Sequence, residues 1–86
     1  MGAKNLSRRV VPDLDVRLRR KDALIGEAME RYVEWRAECL AVDDAYANWL
    51  SAPSNQGELP FAAYWAALDR EQSAAALYRR AVGRLE

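Results

Sequence analysis

Two seven-residue hydrophobic repeats, separated by one polar break between Leu50 and Pro60, restrict what this chain can fold into. The first repeat is Ile25, Ala28, Tyr32, Trp35, Cys39, Val42, Tyr46 and Trp49; the second is Phe61, Tyr64, Leu68, Glu71, Ala75, Tyr78, Val82 and Leu85. Steps alternating between three and four put each set along one stripe of an α-helix. Folding the chain at the break lays the stripes against each other, antiparallel, and the numbers of facing residues then add to 110 in every layer. Seven of those eight layers pair apolar or aromatic groups, and the large Trp35 meets the small Ala75, as dense packing requires. The expected fold is all-α: an antiparallel two-helix hairpin with coiled-coil-like packing.

Local signals set the boundaries. Residues 1–11 lack helical periodicity and run into Pro12, which reads as a mobile arm. Over 13–21 two patterns compete. Leu14, Val16 and Leu18 alternate with charged residues as in a half-exposed strand, whereas Leu14 and Leu18 also extend the helical stripe towards Ile25. Asp22 is a suitable N-cap, so residues 1–21 are assigned to a basic arm and 22–86 to the hairpin, with helices over about 22–51 and 59–83. Ser51, Pro53, Ser54, Asn55 and Gly57 supply the turn chemistry between them, and Pro60 suits the first turn of the second helix.

A chain of 86 residues buries a modest fraction of its surface and gains stability from a disulfide, a metal or a partner subunit. Cys39 is its only cysteine and it has no histidine, which leaves the partner. Apolar side chains outside the two stripes, among them Leu24, Met29, Val33, Leu40, Leu50, Trp65 and Leu77, exceed what two helices can cover. A homodimer of hairpins forming a four-helix bundle is therefore expected. No run reaches the roughly 18 apolar residues of a membrane span, and the polar, basic start does not resemble a secretion leader. Together with the lone thiol, these features point to the cytoplasm.

Net charge is zero but unevenly spread. Residues 1–21 hold seven cations against Asp13 and Asp15, residues 22–74 hold three against ten acids, and the last twelve hold three against Glu86. In an antiparallel hairpin the two basic ends meet. Arg8, Arg9, Arg17, Arg19, Arg20 and Lys21, with Arg79, Arg80 and Arg84, thus form the candidate site for an anionic partner. Nucleic acid is the sharper form of that idea, since clustered cations gain from counterion release at phosphates. The acidic body and the absence of a recognition-helix turn weigh against it.

Catalytic chemistry finds little here. Without histidine there is no Ser-His-Asp or Cys-His arrangement and no Glu-x-x-His metal pair, and no glycine-rich phosphate loop occurs. No catalytic residue, metal or cofactor is expected. The single polar layer, Cys39 with Glu71, reads as a packing feature in which Glu71 swings towards Arg36 or a tyrosine hydroxyl and sets the register. The aromatic residues at heptad spacing read as core. The functional expectation is a non-enzymatic, self-associating interaction module.

Two resemblances accompany this reading. Phe61-Ala-Ala-Tyr-Trp-Ala-Ala-Leu-Asp-Arg-Glu71, with Tyr32, Trp35 and Arg36 upstream, resembles short uncharacterised helical-hairpin proteins of high-GC Gram-positive bacteria, a likeness that covers about residues 25–82 and implies no activity. In length and expected dimeric four-helix form the chain is also similar to the WXG100 family, which would imply a secreted hairpin. It departs from that family at the turn, where Ser51 follows Trp49 and Leu50 in place of glycine. It also has Val82 four residues after Tyr78, where the family's secretion signal carries Asp or Glu.

Overall fold

The computed structural model describes the backbone of residues 2–86 and the side chains of residues 13–86. It consists of two helices, α1 (Gly2–Ser51) and α2 (Glu58–Gly83), packed as an antiparallel hairpin. The molecule is a rod of 83 × 15 × 14 Å. There is no strand among the described residues.

The connection is short and conventional. The Ala52 N–H donates to the Trp49 carbonyl at 3.3 Å and closes α1, and the Gln56 N–H donates to the Pro53 carbonyl at 2.8 Å across the turn. Gly57 caps α2 through its carbonyl, which accepts from the Phe61 N–H at 2.9 Å. Pro60 lies in the first turn of α2, where a missing N–H removes no intrahelical bond.

Ring contacts carry the register. Tyr32 lies 5.5 Å from Tyr78, Tyr46 lies 5.4 Å from Tyr64, and Trp49 lies 4.9 Å from Phe61, centroid to centroid. In each pair the residue numbers add to 110. Trp35 stacks on Tyr78 and Trp49 on Tyr64, both at 5.7 Å, so each tyrosine of α2 is held between two rings of α1.

Two differences from the sequence-based expectation have clear causes. The first concerns where α1 begins: it extends from Gly2 instead of starting near Asp22, and residues 13–18 are helical instead of extended. An alternation of three apolar residues is too short to impose a strand, and the same stretch holds two pairs at the helical four-residue spacing. These are Asp13 with Arg17 and Asp15 with Arg19, each at 3.5 Å. Since Gly83, the end of α2, lies level with about Glu27 in this register, residues 2–26 of α1 overhang it by about 38 Å.

The second difference concerns the seam. Ile25, Tyr32, Tyr46 and Phe61 are 40–44% exposed, so they edge the interface and do not fill it. The least exposed stripe on α2 is Pro60, Tyr64, Ala67, Glu71, Ala74, Tyr78, Ala81 and Leu85, with Ala67 and Ala81 fully buried. On α1 it is Leu24, Ala28, Arg31, Trp35, Glu38, Val42, Ala45 and Trp49. Both are strict heptads, turned by one step from the most apolar ones. Small side chains decide this: the alanines at 67, 74 and 81 let the backbones approach, whereas rings at 32, 46 and 61 hold them apart.

Among the described side chains, residues 13–23 are exposed and form no hydrogen bond or ion pair with α2. Amide hydrogen exchange at Asp13–Lys21 is expected to be at least about tenfold faster than at Ala28–Ala45, where α1 lies on α2; equal protection would mean that the overhang is packed against something.

Candidate interaction surface

The off-centre seam divides the hairpin into two unlike flanks. On one, α1 and α2 are tied by charge. Arg70 Nε donates to Glu38 Oε2 at 3.3 Å, and Arg84 pairs with Glu27. Arg31 and Glu34 form a further pair at 3.0 Å along α1. Glu30 and Asp44 continue this acidic side, and Ala41, Ala45 and Asn48 meet Pro60 and Ala63 near the loop.

The other flank is apolar. Met29, Arg36, Asp43 and Leu50 recur every seven residues, as do Val33, Leu40 and Ala47, and the two series interleave at steps of four and three. α1 therefore carries a second heptad stripe beside the one it packs on α2. Met29, Val33, Leu40 and Leu50 on this stripe, with Trp65 on α2, are 55–65% exposed. Ile25, Met29, Tyr32, Tyr78, Val82 and Leu85 line a shallow groove where the stripe meets α2. Nearer the loop, Trp65 is joined to the seam by an edge-on contact with Phe61 at 6.1 Å. Leu59 and Leu77, also exposed, lie off this flank.

The surface is large for the mass. The chain exposes 7042 Å², whereas a compact chain of this mass exposes about 5,200 Å². The excess goes with the elongated form, 83 × 15 × 14 Å. Among the described residues no large side chain is fully buried, so the hairpin has a seam but no enclosed core.

Glu71, in the polar layer, takes a partner that sequence reasoning missed. Its Oε1 accepts from Trp35 Nε1 at 3.1 Å, in place of Arg36 or a tyrosine hydroxyl. Arg36 instead lies over the Trp35 ring, 5.9 Å from its centroid, on the exposed side. The cause is geometric: Trp35 and Glu71 share the tight heptad, and an indole N–H pointing into the seam needs an acceptor. The only available signal was a tryptophan and a carboxylate within one helical turn of a common layer. Cys39 is half-buried beside them and free.

Part of the predicted basic tip is paired within the chain. Arg17, Arg19 and Arg84 are engaged by Asp13, Asp15 and Glu27. Arg20 and Lys21 lie on the overhang, and Arg79 and Arg80 lie at the end of α2. Arg8 and Arg9 fall outside the described side chains. Among the described residues no group of three or more Cys, Asp or Glu could hold a metal, and no helix is long and apolar enough to cross a membrane.

No protein-family model, curated protein or solved structure matches the chain.

The Trp35–Glu71 bond is half-buried, so it has a measurable value. Glu71→Ala and Trp35→Phe should each lower unfolding free energy by about 1 kcal/mol, while Glu71→Gln, which keeps an acceptor, should lose less. Urea denaturation at fixed protein concentration reads this out, and the Glu71→Ala/Trp35→Phe double variant should lose less than the two single losses combined. Strict additivity would show that the two side chains are not coupled.

Proposed function

We propose that this protein is a non-enzymatic, self-associating helical-hairpin module, a homodimer of hairpins in a four-helix bundle, acting in the cytoplasm by presenting its remaining surface to another protein. One observation carries the reading: the apolar flank. Five large side chains more than half exposed on one side of a rod, opposite a flank of ion pairs, form a pattern that soluble chains normally cover. Each would gain on the order of 1 kcal/mol by being buried from its present half-exposed position. A second hairpin turned face to face is the simplest cover, because it has the same length and the same flank.

A bundle of this kind leaves the acidic flanks and the cationic overhangs outward. Those are the surfaces open to another protein. The free thiol of Cys39 suits a reducing compartment.

Sedimentation equilibrium at micromolar concentration is expected to give twice the 9.8 kDa chain mass. Val33→Glu, on the apolar flank, should shift the equilibrium to the single chain, whereas Glu30→Gln on the opposite flank should leave it unchanged. A single-chain mass for the unaltered protein at tens of micromolar would end this reading.

A further inference from the structure

Resting on that self-association, we infer the orientation of the second copy: its α1 lies antiparallel on this α1, with Arg36 of each chain meeting Asp43 of the other and the two loops at opposite ends. The argument is one of charge. Two hairpins can stack apolar flank to apolar flank about a two-fold axis in only two ways. An axis along the helices sets α1 against the partner copy's α2; an axis across them sets α1 against α1 and α2 against α2.

Between Met29 and Leu50 the exposed stripe of α1 carries two charges, Arg36 and Asp43, of opposite sign and one heptad apart. Neither forms an ion pair among the described residues. An axis crossing α1 between residues 39 and 40 brings Arg36 level with Asp43 twice over, and by the same operation Met29 level with Leu50. On α2 the corresponding positions are Glu58, Trp65, Gln72 and Arg79, again with one charge of each sign, so the same type of axis pairs Glu58 with Arg79.

These two pairings were derived separately, and the register of the hairpin tests whether one axis can serve both. Ring pairs such as Tyr32–Tyr78 place facing residues at numbers adding to 110. An axis between 39 and 40 on α1 then meets α2 near residue 70, while the midpoint of Glu58 and Arg79 lies between 68 and 69. Sharing the difference leaves each ion pair about 3 Å out of level, which an arginine side chain spans.

The alternative axis fails on the same residues. With α1 against the partner copy's α2, Arg36 falls near Gln72, Asp43 near Trp65, Arg79 near Met29 and Glu58 near Leu50. All four charges would be desolvated against uncharged groups, an arrangement that disfavours binding.

Cys39 sits beside the inferred axis, on the same edge of the seam as Tyr32 and Tyr46, so it should form an interchain disulfide rapidly under mild oxidation, while in a Cys39→Ser background Leu50→Cys should not. Reversing one charge, Arg36→Asp or Asp43→Arg, should raise the dimer dissociation constant by about tenfold or more. The double reversal should return it to within about threefold of the parent. Helix content by circular dichroism monitors folding of each variant. A dimeric mass with no Cys39 disulfide, or double reversal no better than single, overturns the orientation while self-association stands. A single-chain mass instead overturns self-association itself and hands the flank to a different partner.

Discussion

Close approach of the two helices along an alanine heptad is the contact from which the other features follow. Ala67 and Ala81 are the most deeply buried residues described, and they are small. Along that heptad small side chains fill the seam; Tyr32, Tyr46 and Phe61 line one edge of it, 40–44% exposed. The two edges of the seam are therefore unlike. Two helices joined this way can grip rings by their faces, as Tyr78 and Tyr64 are gripped, but they cannot enclose them.

The seam also separates the chemistry of the two flanks. On one side long charged side chains reach across it, where Arg70 pairs with Glu38 and Arg84 with Glu27. Exposed pairs of this kind contribute at most about 1 kcal/mol each, so they guide register more than they hold the fold. On the other side the seam is edged by rings and aliphatic groups whose outer surfaces are exposed. A chain whose stability rests on a seam open along one edge gains more from covering that edge than from any change within the hairpin.

The Trp35–Glu71 bond shows the same geometry at the scale of one layer. A carboxylate at a heptad position is unfavourable in a dry core, yet in a half-open seam it keeps some water and answers an indole N–H that would otherwise lack an acceptor. Arg36, held over the outer face of the same indole, then presents its charge to the apolar flank instead of to the seam. A single tryptophan thus orients a half-buried acceptor on one side and an exposed cation on the other.

The one-dimensional pattern determined the helices, the loop and the antiparallel register, because period, turn residues and ring pairing are all local or pairwise properties of the chain. Tyr46 with Tyr64 and Trp49 with Phe61 were legible from numbers alone. Two things were settled only by the tertiary arrangement. Which of two neighbouring heptads faces inward depends on backbone distance, and so on the size of Ala67, Ala74 and Ala81, where hydropathy ranks Phe61 and Leu68 higher. The partner of Glu71 depends on the direction of one indole. The start of α1 is different: it rests on i to i+4 pairs, Asp13 with Arg17 and Asp15 with Arg19, which the sequence already held beside the three-residue alternation. For the inward heptad and the partner of Glu71 the deciding quantity was a distance in three dimensions, and spacing along a chain does not contain it.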